Sequence, residues 1–287
     1  MEQQHTTLGL CLFNNQLYYA INQPDASNAL ARIGSFDFDI DSPGMLLDPS
    51  SKHFYGIKQT VSQLKSDHDI HHLRIHTPPE PECWTSVPKI VHDNADEREH
   101  YINILMPGID RSNIQPTWFN LSNQNYKLLR LRNRANYRGV QELASDTSTI
   151  DLISDFEIGG QWVQHAEPGG SFMTVGCFRN CIAISSFILG KMRGATFFTF
   201  DDIQDLPYFW LLHTKELPWM NGLHEQIYVY GMQAFKVIEI LESFWDEAGV
   251  IKKMNSLDKV QVSADEKTYG FNLEKAFPAM ILALDYD

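Results

Sequence analysis

One order of segments, occurring twice, constrains this chain more than any single motif. Phe172–Phe178 and Cys181–Leu189 are apolar runs joined by the polar pair Arg179-Asn180, the pattern of a hairpin. A third apolar run, Ala195–Phe200, follows Gly190–Gly194. Asp201, Asp202, Asp205 and Pro207 then crowd the front of Tyr208–Leu212. Acids complement the positive end of a helix dipole, and proline is tolerated in a first turn because its missing N–H would be unpaired there. The start of the chain has the same grammar. Thr7–Phe13, Asn14-Asn15 and Gln16–Ile21 read as a hairpin, and Leu30–Phe38 as a third strand. Ile57–Leu64 follows as a helix with Ile57, Val61 and Leu64 on one face. Short strands, His72–His76 and Gln226–Tyr230, close the two units. Identities between the copies are poor; it is the order of elements that repeats.

Between and beyond these units the pattern is mixed. Thr77–Glu82, rich in proline and glutamate, reads as a loop, and Asp93–Met106 as a helix. Lys127–Arg132 is a strand with one wet face. Asn136–Ala144 and Ile150–His165 read as helices, the second weakened by Gly159-Gly160. Glu167-Pro168-Gly169-Gly170 is the strongest break, which puts two similar halves at 1–169 and 170–287. Ala234–Trp245 is an amphipathic helix with Val237, Ile238, Leu241, Phe244 and Trp245 on one face. Val260–Val262 is a short strand, and Phe277–Leu284 a buried terminal segment of either type. The fold class expected is α/β, mixed sheets carrying helices.

Composition excludes several functions. A formal charge of −13 over 287 residues is wrong for a nucleic-acid partner, because phosphate backbones need a basic surface. An apolar content of 43% is ample for packed cores. Four cysteines without a dense framework (Cys11, Cys83, Cys177, Cys181) suggest reduced thiols. The polar Met1–His5 lacks a signal-peptide core, and no apolar run approaches the roughly 20 residues of a membrane-spanning helix. A soluble, cytoplasmic protein without membrane insertion is expected.

A three-stranded meander, a helix and a further strand, twice over, suggests the duplicated architecture of actin, hexokinase and the heat-shock chaperone ATPase domain. Three segments are more specific: Trp84-Thr85-Ser86-Val87-Pro88-Lys89-Ile90-Val91, then Ala195–Phe200 with Asp205 and Tyr208, then Gln226–Gly231. They resemble, in turn, the strand-to-"VP" segment, the "NxF…D…Y" segment and the glycine-ended strand of one bacterial family of unknown function with an actin-like ATPase fold. That family is distantly similar to pilus-assembly and type II secretion proteins. Ala195 stands where it often has Asn. The resemblance runs from about Thr6 to about Trp245. It implies an actin-like ATPase, ribonuclease H-like duplicated fold and recruitment of protein partners.

Active members of that superfamily are expected to place an acid and a glycine at each hairpin, so that N–H groups cradle phosphate and a carboxylate organises Mg²⁺. A Gly-Gly after a late strand lets backbone approach the adenosine. Here the nucleotide-binding candidates are Gly9, Asn14 and Asn15 at the first hairpin, Gly176 and Arg179 at the second, and Gly231 at the late strand. Neither hairpin carries a carboxylate. The motifs read as degenerate, the asparagines as turn formers, and no bound ATP or Mg is expected. A non-catalytic binding or scaffolding component with a protein partner is the first expectation. The alternative is an ATP- or other nucleotide-binding protein, an ATPase or small-molecule kinase with divergent phosphate loops. A kinase needs an Asp base near the cleft, and the sequence nominates none. A ribonuclease H-type nuclease would want an Asp in the first strand, where Leu8–Phe13 has none.

Other clusters have plain readings. Asp201, Asp202 and Asp205 suit helix capping. His68, His71, His72, His76 and Cys83 match no zinc spacing, so no metal site is expected and a mixed surface strand is. Cys177 and Cys181 read as small buried hydrophobes, and Gly190–Gly194 lacks the Walker spacing. Tyr208, Phe209 and Trp210 cannot all face one side of a helix. Core filling is the default for them and for Trp219 and Met220; any that are exposed mark a partner surface.

Overall fold

The computed structural model describes residues 5–13, 15–24, 26, 28–38, 49, 54–80, 82–143, 149–166, 168–221, 224–245, 249–254, 260–262 and 271–284. The first meander is β1 (Thr7–Phe13), β2 (Gln16–Asn22) and β3 (Ala29–Asp37), followed by α1 (Phe54–His68) and β4 (His72–Thr77). β1 pairs antiparallel with β2 and parallel with β4. The strand-to-"VP" segment is β5 (Glu82–Pro88), which runs into α2 (Lys89–Asp93); α3 (Ala95–Leu105) follows, its N-terminus capped by the Asn94 side chain. β6 (Ile114–Asn120), which the sequence did not announce, and β7 (Tyr126–Asn133) join β5 in a three-stranded sheet in the order β5-β7-β6.

The expectation of one helix from Ile150 to His165 is overturned. After α4 (Arg138–Leu143), Thr149–Ser154 forms strand β8, parallel to β4 from His72↔Thr149 to Thr77↔Ser154. A single 3₁₀ turn, Asp155–Glu157, and the short α5 (Ile158–Trp162) come next. Apolar residues at 150, 152, 153, 156 and 158 fit either period over so short a span, and β8 has its partner 77 residues upstream. β4 is likewise no surface strand: five of its six residues are buried between β1 and β8.

The second unit repeats the first. β9 (Ser171–Cys177), β10 (Cys181–Ile188) and β11 (Lys191–Thr199) form the meander, then α6 (Leu206–Glu216), β12 (Gln226–Gly231), α7 (Ala234–Glu242) and β13 (Ile251–Lys253). β12 pairs parallel with β9, as β4 does with β1. The turn before β11 is tighter than the sequence suggested. Leu189 and Gly190 both take positive φ, 48° and 72°, and the strand resumes at Lys191. The chain then returns to the first sheet. β14 (Gln261–Val262) pairs with β3, completing the order β14-β3-β2-β1-β4-β8, and α8 (Leu273–Ala283) packs on β1 and β2. The terminal segment left open between strand and helix is therefore a helix.

Strand alternation sorts the side chains into layers. Leu8, Leu10 and Leu12 face outward to Phe54, Ile57, Val61 and Leu64 of α1. Cys11 and Phe13 face inward, to a core shared with α8, α5 and the inner face of the second sheet. That sheet's outer face packs on α6 and α7 through Val175, Ile182, Ile184, Leu206 and Val237. Gly9 explains how α8 lies so close: a Cβ there would collide with the Ala279 carbonyl and the Ala283 N–H. With alanines at 279 and 283 and no side chain at 9, backbone meets backbone.

Arg74 of β4 fixes the end of α8. Its Nη1 donates to the carbonyls of Leu282 (3.2 Å) and Leu284 (3.5 Å), and its Nη2 to Gln161 Oε1 (3.4 Å). Cations suit a helix C-terminus, where carbonyls lack intrahelical partners. His165 is buried nearby. Burial, and then the Arg74 charge, pulls its pKa from 6.5 down to about 4. The unfolded chain therefore takes a proton on His165 more readily than the folded one. Stability held above pH 6.5 is lost as pH falls from 6.5 towards 4. The thermal midpoint is expected to drop across that window, and His165→Gln to flatten the drop; an identical slope in the variant refutes the assignment.

Candidate functional site

In this architecture a ligand cleft would lie where the two hairpin tips meet. Here the tips touch. Phe13, the last residue of β1, and Phe178, just past β9, have ring centroids 5.5 Å apart. His76, near the end of β4, stacks on Phe178 at 6.0 Å with planes 4° apart, and lies 5.9 Å from Phe13. All three side chains are buried.

Beneath them sits a carboxylate that the sequence reading did not find. Asp155 is 2% exposed. Its Oδ1 accepts from His76 Nε2 at 2.7 Å and from Tyr230 Oη at 2.8 Å. His76 lies near the end of β4 and Tyr230 near the end of β12, so one carboxylate bridges corresponding strands of the two units. Asp155 also fills the space above Gly176, where a Cβ would strike its carboxylate. Burial, then the Asp155 charge, raises the Tyr230 hydroxyl well above its usual range, and the same two causes raise the Cys177 thiol. Burial also raises Cys11 and Cys181. None of these three thiols is a thiolate nucleophile at neutral pH.

The remaining sequence candidates scatter. Gly9 lies under α8, and Gly231, at φ 92°, backs onto the Cys177 carbonyl. Asn15 and Arg179 are exposed at the hairpin tips, and Asn14 lies outside the described residues. Gly9, Gly176 and Gly231 thus each face protein atoms. His72 pairs instead with Asp151 of β8 (2.9 Å), and no cluster of metal-ligating side chains occurs among the described residues. Cys177 points into the outer core of the second sheet and Cys181 into the inner one. Trp210 and Met220 are buried, whereas Tyr208 is 65% exposed.

The three-stranded sheet is mounted on the first sheet by a buried network. Glu82 of β5 accepts from Arg132 Nε (2.6 Å), Trp84 Nε1 (2.6 Å), Ser154 Oγ (2.7 Å) and Thr77 Oγ1 (3.1 Å). Glu157 binds Arg130 and accepts from the Ser154 N–H. A cavity of about 680 Å³ lies beside this network, between β7 and β8.

Comparison with solved structures gives the fold its class. PilM, in the PilM–PilN type IV pilus biogenesis complex, is similar with a TM-score of 0.70 at 13% identity, covering 99% of this chain and 100% of that one. A Bacteroides thetaiotaomicron protein with an actin-like ATPase fold and unknown function gives 0.52 at 15%, covering 89% and 93%. The cytoplasmic domain of EpsL, an inner membrane component of the type II secretion system of Vibrio cholerae, gives 0.52 at 8%, covering 98% and 97%. No protein-family model and no curated protein matches the chain. The protein has an actin-like ATPase fold, the fold shared by these pilus and secretion proteins. No described helix is long and apolar enough to cross a membrane.

Removing Asp155 would strand two buried donors, His76 Nε2 and Tyr230 Oη, at a cost of about 1–3 kcal/mol each. Asp155→Ala is expected to cost that much in urea unfolding; a loss below about 1 kcal/mol would show that the bridge carries no such weight.

Proposed function

We propose that this chain is a non-catalytic, cytoplasmic interaction component whose nucleotide cleft has been replaced by a packed junction. We take its two halves as 1–169 and 170–287, with β14 and α8 of the second packing on the first sheet. The observation that carries the reading is the Phe13–Phe178 contact at the hairpin tips, 5.5 Å between centroids, over Asp155, whose Oδ1 is held by His76 and Tyr230. Phosphate needs open backbone N–H groups and a metal-organising carboxylate at that place. Apolar rings supply neither. PilM is seen in complex with PilN, and EpsL belongs to a secretion assembly. That company supports recruitment of a protein partner, which we place at the cavity beside β8.

A second reading, a nucleotide-binding protein with divergent loops, draws on Asp155 itself, a carboxylate between the two hairpins. It requires the two rings to part and Asp155 to exchange its partners for ligand.

Thermal unfolding with 5 mM ATP and Mg²⁺ separates the two. A ligand present at a hundredfold its Kd stabilises by about 2.7 kcal/mol, a shift of several degrees. No shift is expected. An upward shift of that size would favour the second reading and sink the first.

A further inference from the structure

The unmet hydrogen-bonding groups around the cavity beside β8 ask for one kind of ligand. One wall is β8, the last strand of the first sheet. Leu152 shows which of its groups point outward: its carbonyl accepts from Arg132 Nη1 at 2.7 Å instead of from a strand. The N–H and C=O of one residue lie on the same side of a strand, and alternate residues agree. The Leu152 N–H and both backbone groups of Ile150 therefore face the same way. Among the described residues no strand pairs with that edge.

The facing wall is basic, in a chain of net charge −13. Arg130 is neutralised by Glu157 and Arg132 by Glu82. Arg134 is exposed and makes no ion pair or hydrogen bond among the described residues. Tyr137 is buried on the same wall, beside Glu82 and under the Arg132 guanidinium. Asp151 also lines the cavity, but His72 holds its carboxylate at 2.9 Å. An arginine only donates, so the partner that suits Arg134 is an acceptor. Bidentate carboxylate is the group that best suits a guanidinium fork.

We propose that this cavity takes an extended segment of a partner protein, which adds to β8 as an edge strand and presents an Asp or Glu carboxylate to Arg134. The inference rests on the partner-binding reading above and gives that partner its chemistry. Main-chain pairing supplies affinity, and the carboxylate supplies selectivity.

The probe is a phage-displayed library of random dodecapeptides selected on the folded full chain. Recovered peptides are then titrated by fluorescence anisotropy. They are expected to share an acidic position whose amide counterpart binds about tenfold more weakly, the scale of one charge-assisted hydrogen bond. Arg134→Gln, at an exposed site, is expected to produce the same tenfold loss. Ile150→Pro removes an outward N–H from an edge strand, where proline is tolerated, and is expected to abolish binding in a protein that still unfolds cooperatively, with a midpoint lowered by the lost Ile150 packing. Peptides without acid, or binding indifferent to Arg134→Gln, overturn the carboxylate. Binding that survives Ile150→Pro in a folded protein overturns docking at β8 yet leaves a partner-binding protein. Recovery of no peptide at all contradicts both readings.

Discussion

Asp155–Glu157 is one turn long, and three sheets depend on it. Asp155 accepts from His76 of the first sheet and Tyr230 of the second. Phe156 is fully buried, meets Trp84 of the small sheet edge-on at 4.8 Å, and gives its carbonyl to Ser185 of β10. Glu157 holds Arg130 of β7. A carboxylate taken out of water is costly unless its lone pairs find donors, so the Asp155 position fixes where β4 and β12 end relative to each other. Side chains that would gape apart in an open cleft are here tied to one atom.

That tie changes what the duplicated fold can do. Two sheets facing across a central space can part around a ligand when little but the hinge joins them. In this chain the space is occupied from three directions: by the aromatic pair at the hairpin tips, by Asp155 against Gly176, and by α8 against Gly9. Gly9, Gly176 and Gly231, the glycines expected of a phosphate site, each face protein atoms. Close approach is the common requirement, which is why the same residue type suits both uses.

The duplicated units were legible because hairpins and their following helices are local. Phe172–Phe178 with Cys181–Leu189, and Thr7–Phe13 with Gln16–Ile21, declare themselves through apolar runs and two-residue turns. β8 was not legible. Its burial is partial, as suits an edge, so its alternation is blurred, and its partner lies far upstream. Missing β8 also hid Asp155, because a lone carboxylate inside a supposed helix attracts no notice. Its partners His76 and Tyr230 are 79 and 75 residues away. β6 escaped for a similar reason: Pro116 within it argues against a strand, and edge position is what makes it tolerable.

The account stands on a junction that stays shut. Spin labels at Asn15→Cys and Asn180→Cys, both exposed on the facing hairpin tips, read that directly in a Cys83→Ser background. A single narrow distance distribution, unchanged by ATP and Mg²⁺, is the expected result. A broad distribution, or one that moves when nucleotide is added, would mean that the halves open and would contradict the account.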